Sequence, residues 1–307
     1  MFLQKSRTLF FFLAFVLLSA LAITATPVKA SFLWSIEDNN GHQIYLLGSI
    51  HLAKPEIYPL NQTILDAFGR SKRLVVEANV DVDTMTQLTI AKELTEKGTY
   101  PPDQDVGLWE RLDAETTAEL KDVLGKLNLF EVFIDQVRPK PWYLAMMLEM
   151  MFLESLGFDA KLGVDIHFLK LAKAKGMKIH ELESVYEQFS FVSSLTEEES
   201  LIFLKSTLVE YEKLKSGAMD ELLDIWSGGD AQAFEELYFQ AYDEHPEWFA
   251  LLDKIIYKRN ETMYERLQPF FRINDEVSFV VVGSAHLVGP KGLVAMFEKN
   301  GFKVTQL

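Results

Sequence analysis

Near the two ends of the chain the same pattern is written twice. Ile44-Tyr45-Leu46-Leu47 leads into Gly48-Ser49-Ile50-His51-Leu52-Ala53-Lys54-Pro55, and Phe279-Val280-Val281-Val282 leads into Gly283-Ser284-Ala285-His286-Leu287-Val288-Gly289-Pro290. Each is an apolar run that ends in Gly-Ser-x-His-Leu, followed by two residues and a proline. Short apolar runs bounded by glycine predict buried strands. A glycine at a strand tip lets the chain turn with little bulk and can take backbone angles that other residues avoid. Gly48 and Gly283 are therefore expected to turn sharply and bring His51 and His286 back over one sheet edge. A chain that carries this pair must bring both its ends into one sheet.

The segments between them fit that demand. Phe32 to Ile36 and His42 to Leu47 flank Asn39-Asn40-Gly41 and predict a hairpin. Asn61 to Arg70 has a helical apolar face in Ile64, Leu65 and Phe68, and Arg73 to Glu77 predicts the next strand. Strand, helix and strand at this spacing form a βαβ unit with parallel, buried strands. Residues 81 to about 160 are mostly helical in pattern. Asp113 is placed as a helix N-cap, and Pro139 and Pro141 lie where a first helical turn tolerates proline. Trp142 to Leu156 is rich in methionine and apolar nearly all round, which predicts a buried helix; a Met-rich binding groove is the alternative. A helix from Gly163 to Lys175 stops at Gly176, and Met177 to Leu182 follows as a strand. Three long helices are expected over 196–226, 230–243 and 247–268, then the second Gly-x-x-His strand, a helix over 291–299 and a last strand over 303–306. The fold class is α/β. A central, mostly parallel sheet is built from both ends of one domain, residues 31–307, with a helical insertion over about 81–160 and 190–270.

Residues 1–30 stand apart. Lys5 and Arg7 precede an apolar run from Leu9 to Ala25, and Val28-Lys29-Ala30 offers a small-residue cleavage site. That is the layout of a signal peptide cleaved after Ala30, and predicts an exported protein, periplasmic or extracellular. The alternative is an uncleaved membrane anchor, since the run is near the lower length limit for a span. Cleavage removes three positive charges and no negative one, taking the net charge from −15 to −18. Such an acidic chain is a poor partner for nucleic acid or anionic membranes. It has no cysteine, so any metal must be held by histidine and carboxylate.

In α/β sheets ligands bind beyond the carboxyl ends of parallel strands. Four predicted strands end there in chemically useful residues: His51, Glu77, Glu181 or Glu183, and His286. Two histidines with one or two glutamates are a sufficient ligand set for a hydrolytic divalent metal, with a position open for water. Zn, Mn and Co all suit such donors. Arg259-Asn260 lies within a helix, and Arg259 could steady an oxyanion or hold Glu77 or Glu183 in place. Asp165, at a helix start, is read as a capping acid favoured by the helix dipole. His42, His180 and His245 are read as structural or exposed.

These residues resemble the TraB/GumN family, whose relatives include the Tiki metalloproteases. The resemblance rests on Gly48-Ser49-Ile50-His51-Leu52 with Tyr58-Pro59-Leu60, and on Val75-Val76-Glu77-Ala78-Asn79. It extends through Gly163-Val164-Asp165-Ile166-His167-Phe168-Leu169, Glu181-Leu182-Glu183 with Gln188, Arg259-Asn260-Glu261-Thr262-Met263 and Val282-Gly283-Ser284-Ala285-His286. It implies metal-dependent hydrolysis of a peptide or protein, with His51, His286 and Glu77 as metal ligands. Glu77, Glu183, Arg259 and Asn260 are candidate catalytic residues. A peptide-sequestering protein without catalysis and a metal-free, histidine-dependent esterase are the alternatives. The first would leave a captured peptide intact; the second would survive a chelator.

Overall fold

The computed structural model describes residues 30–104, 106–129, 131–272 and 276–307. The predicted signal peptide therefore lies almost wholly outside the described residues. Among those described, no helix is long and apolar enough to cross a membrane.

The expected hairpin forms from β1 (Leu33–Glu37) and β2 (Gln43–Ser49), paired antiparallel. Asp38 fixes its turn by accepting hydrogen bonds from the backbone N–H groups of Asn40 (2.8 Å) and His42 (2.9 Å). Gly41 sits at φ +85°, a conformation open to glycine at little steric cost. Then come α1 (Gln62–Arg70), capped by the Asn61 side chain, and β3 (Arg73–Val76). A helical stretch follows: α2 (Thr84–Gly98), α3 (Ala114–Lys126), α4 (Glu131–Val137) and α5 (Pro141–Ser155). After α6 (Val164–Lys175), closed by Gly176 in the left-handed region, β4 (Lys178–Glu181) returns to the sheet.

Five further helices come next: α7 (Val185–Ser193), α8 (Glu197–Lys215), α9 (Ala218–Gly228), α10 (Ala231–Glu244) and the short α11 (Phe249–Leu252). One π-helical turn, Asp253–Tyr257, leads from α11 into α12 (Lys258–Leu267). The chain finishes with β5 (Ser278–Gly283), α13 (Leu293–Lys299) and β6 (Lys303–Gln306).

Among the described residues the sheet has six strands in the order β4-β3-β5-β2-β1-β6. The run β4-β3-β5-β2 is parallel, and β1 pairs antiparallel with both β2 and β6. The α/β class and the use of both chain ends are as expected. One detail differs: β2 and β3 are parallel but not neighbours, because β5 enters between them. Strands β3 and β5 are buried throughout and β2 nearly so, whereas the edge strands β4 and β6 are half exposed. The main core packs on this sheet, with Phe68 of α1 and Phe168 of α6 set against Phe279 of β5. The insertion has a core of its own, where Leu120 and Leu124 meet Leu144, Leu148, Phe152 and Leu204.

Four local expectations need correction. Pro141 opens α5, but Pro139 lies in extended chain bridged to Thr99. The long helix over 196–226 is broken at Gly217, whose φ of +101° is left-handed. Helix α7 was not foreseen, although Ser184 and Glu187 close a full capping box at its start. And α5 is not buried all round. It sinks Trp142, Leu144, Ala145, Leu148 and Phe152, while Met146, Met147 and Met151 are half-buried and Met150 is exposed. The even spread of apolar residues hid this, because methionine serves equally well in a core or at a half-open surface.

Candidate active site at the carboxyl edge of the sheet

Because β5 fills the slot between β2 and β3, the ends of three adjacent parallel strands carry His51, His286 and Glu77 to one place. The backbone ladder runs on past the strands: Glu77 N–H donates to Val281 O (2.9 Å), and Glu183 N–H donates to Glu77 O (2.8 Å). The two Gly-Ser corners are also tied together, since Ser284 Oγ donates to Ser49 O (3.0 Å).

Glu77 is the centre. Its Oε2 accepts the Gly283 N–H (2.8 Å) and lies 3.9 Å from His51 Nε2. Its Oε1 accepts from Gln188 Nε2 (2.7 Å) and from Arg259 Nη2, and lies 3.7 Å from His286 Nε2. Burial works against a charge here. The cations and donors around it win, and its pKa falls to about 2.

Each histidine is gripped through Nδ1. His51 Nδ1 is 3.1 Å from Asp165 Oδ2. A carboxylate only accepts, so Nδ1 carries the proton and Nε2 faces Glu77. Burial lowers the His51 pKa, but Asp165 and Glu77 outweigh it and raise it to about 9. His286 Nδ1 is 2.6 Å from Asn260 Oδ1. The amide orientation is fixed because Asn260 Nδ2 donates to Lys291 O (2.8 Å). His286 is buried, and burial pushes its pKa down to about 4.

Arg259 joins the acids. Nε and Nη2 donate to Glu183 (3.1 and 2.7 Å to Oε2), Nη2 also donates to Glu77, and Nη1 donates to Ile255 O (3.1 Å). Most of its donors are thus spent on holding the site. Glu183 is buried, and burial raises its pKa despite Arg259. Arg259 and Asn260 are adjacent yet serve different partners; the π-helical turn just before them sets the helix register. Such turns recur at functional sites.

All six candidate residues, His51, Glu77, Glu183, Arg259, Asn260 and His286, are brought together. Glu181 is not, being exposed at the end of β4. The other histidines lie elsewhere, His42 on Asp38 and His245 stacked on Trp248. Two further participants, Asp165 and Gln188, stand outside the candidate set although the resemblance includes both. Asp165 is no cap, since Gly163 occupies that position and the Asp165 carboxylate turns to His51. Gln188 reaches Glu77 from α7. The spacing of Asp165 two residues after Gly163 was a visible signal, but it reads equally well as a helix start.

The glycines also work differently from expectation. Gly283 has φ −53° and ψ 138°, open to any residue. What it supplies is space: a Cβ there would stand 3.0 Å from His51 Nε2, 3.4 Å from Glu77 Oε2 and 3.5 Å from His286 Cδ2. At Gly48 a Cβ would press on Phe32 Cδ1 at 2.5 Å and Ser284 Oγ at 2.7 Å.

Among the described residues, no three His, Asp or Glu side chains are gathered closely enough to hold a metal ion as they stand. The donor types present, two imidazoles and a carboxylate, are those a divalent ion takes. Two donors each about 2.1 Å from a tetrahedral ion stand about 3.4 Å apart. The His–Glu77 separations exceed that by only a few tenths of an ångström. Both imidazoles hold Nδ1 on an acceptor and turn Nε2 inward, as metal-ligating histidines do.

The site therefore belongs to an α/β protein with paired histidines and a shared acid at the carboxyl edge of a parallel sheet. The chain is a member of the TraB/PrgY/gumN family, whose model matches residues 32–306. It is 24% identical over 254 residues to the uncharacterized protein YbaP of Escherichia coli K12, covering 82% of this chain and 86% of that one. It is 22% identical over 338 residues to the metalloprotease TIKI homolog of Amphimedon queenslandica, covering 95% of this chain and 66% of that protein. Metalloprotease TIKI2 of Danio rerio is 22% identical over 324 residues, covering 89% of this chain and 60% of the relative. No solved structure matches.

Proposed function

We propose that this protein is an exported, metal-dependent hydrolase that cleaves peptides. The observation that carries the reading is the meeting of His51 Nε2 and His286 Nε2 at the two oxygens of Glu77, within 3.9 and 3.7 Å. The kinship with proteins named metalloproteases supports it, and the predicted signal peptide supports export.

His51, Glu77 and His286 would hold the ion, with Zn, Mn and Co all compatible. Bound there, the ion supplies Lewis acidity toward a peptide carbonyl and makes water a nucleophile near neutral pH. Asp165 and Asn260 fix the two imidazoles in the tautomer that presents Nε2. Glu77, with low basicity and both oxygens engaged, acts as a ligand and not as a general base. Arg259 keeps Glu77 ionised and aimed, with Glu183 bracing it from the far side; this positioning takes up most of the donors an oxyanion would need. Half-exposed His51 marks the open side from which a peptide enters.

The test is hydrolysis of a peptide library by purified, chelator-stripped protein with Zn, Mn or Co restored. Metal-restored cleavage that is lost in both His51→Ala and His286→Ala is expected. Turnover that survives a chelator, or that both variants retain, defeats the reading. Peptides that bind and stay intact with every metal would make the protein a sequestering one.

A further inference from the structure

Gly48, three residues before His51, has both its backbone polar groups held by large aromatic residues. Its N–H donates to Phe32 O (3.0 Å), and its carbonyl accepts from Trp226 Nε1 (2.9 Å). The Phe32 ring also lies against it, 2.5 Å from where a Cβ would stand. The same two residues are walls of a pocket of about 190 Å³.

Phe32, Ile57, Leu60, Ile64 and Trp226 line this pocket, and all five are buried, so its walls are apolar. An apolar cavity of about 150 Å³ takes up a benzene ring. This one has room for a single ring and a short chain. Exposed Glu56, Pro59 and Ser227 mark its open side.

Two polar groups set its chemistry. Ser31 is part of the lining and is 2% exposed. Its backbone is fixed, since its N–H donates to Leu307 O (2.5 Å) and its carbonyl accepts from Gln306 Nε2 (3.0 Å). Its hydroxyl is buried and has no hydrogen-bond partner among the described residues. Buried polar groups are nearly always paired, so an unpaired one facing a pocket points to a guest. Glu56 is the one charge in the lining, which holds no cation. The Asn61 side chain, by contrast, is taken by the Thr63 N–H (2.9 Å). Apolar walls with a few polar groups that fix orientation are the makeup of a small-molecule site. The acidic chain as a whole, at −15, favours a cationic guest over an anionic one.

We infer that this pocket binds a small aromatic amine, with the ring on the apolar walls and the ammonium group donating to Ser31 Oγ and drawn by Glu56. The site does not depend on the hydrolase reading. Its occupant touches both residues that hold Gly48, so its arrival is felt in the backbone that leads to His51.

The experiment titrates the purified protein with phenethylamine, 2-phenylethanol and 3-phenylpropanoate, which share a ring and differ in charge. Backbone amide NMR signals report binding. Saturating shifts at Phe32, Ile57 and Gly48 are expected, with the amine bound about threefold more tightly than the alcohol and the carboxylate weakest. Glu56→Gln should bring amine and alcohol level, and Ser31→Ala should weaken the amine about fivefold; melting temperatures confirm that both variants fold. An alcohol bound as tightly as the amine by the unaltered protein overturns the inference and leaves a site for a neutral ring. Tightest binding of the carboxylate overturns it in favour of an anion at the start of α1. An amine preference that survives Glu56→Gln overturns it too, because the charge is then read elsewhere. No saturable shift with any probe removes the pocket as a site. Shifts at Phe32 and Ile57 that leave Gly48 unmoved break the link to the candidate active site.

Discussion

Gly48 to Leu52 and Gly283 to Leu287 have nearly the same sequence and opposite surroundings. The His51 side chain is 49% exposed and rests on a carboxylate; the His286 side chain is 4% exposed and rests on a neutral amide. One imidazole is pushed up to about 9 and the other down to about 4. The difference comes from the elements that supply the second partner. Asp165, at the start of α6, brings a carboxylate to His51, whereas Asn260, fully buried in α12, brings a neutral amide to His286. A repeated motif therefore sets where a side chain points, while the neighbouring helix sets its charge.

Breaking what the two copies share should do the most damage. Arg259→Met leaves Glu77 and Glu183 buried without their common cation, and a loss of about 3–5 kcal/mol is expected. Chemical denaturation measures it; a loss under about 1 kcal/mol would mean that the guanidinium is not what holds the acids. The histidines should then separate. His286→Ala strips the buried Asn260 Oδ1 of its donor and should cost about 1–3 kcal/mol. His51→Ala, at a half-open site, takes the donor from Asp165 Oδ2 and should cost less, about 1 kcal/mol, in the metal-free protein. Equal melting temperatures for the two variants would erase the distinction between an inner and an outer histidine. The smallest expected contrast lies in the glycines. Gly48→Ala crowds Phe32 and should lower stability by about 1 kcal/mol, with metal affinity kept. Gly283→Ala, whose methyl stands among the three donors, should hold stability and lose metal affinity, as isothermal titration with Zn would show. The reverse pattern would mean that the space at Gly283 serves packing alone.

Much of this was legible from residues. The strands announced themselves as apolar runs ending in glycine or acid, and the placement of useful residues at their carboxyl ends followed from the parallel sheet. Other features had no local signal. Nothing in Arg73 to Glu77 says that β5 will lie beside it, because strand order is settled by packing over the whole chain. Asp165 looked like a helix-start acid because it is one; its attachment to His51 depends on α6 docking beneath β2, where the Asp165 N–H donates to Ser49 Oγ at 3.1 Å. The apolar spread of α5 concealed which side would remain half open. The glycines were noticed for the wrong reason, since tight space and unusual torsion leave the same mark in a sequence.

The position of β5 has a consequence for how the protein comes into being. The strand in the middle of the parallel run is synthesised after all its neighbours in that run, so β2 and β3 must wait with facing edges unpaired while the helical stretches emerge. Contacts so distant in sequence slow folding, and open edges invite pairing with other chains. Because Gly283, which donates to Glu77, and His286 arrive with that same strand, closing the sheet and completing the site are one event. A nascent chain would carry only half of the candidate site, with Glu77 still lacking the Gly283 N–H and its neighbour His286.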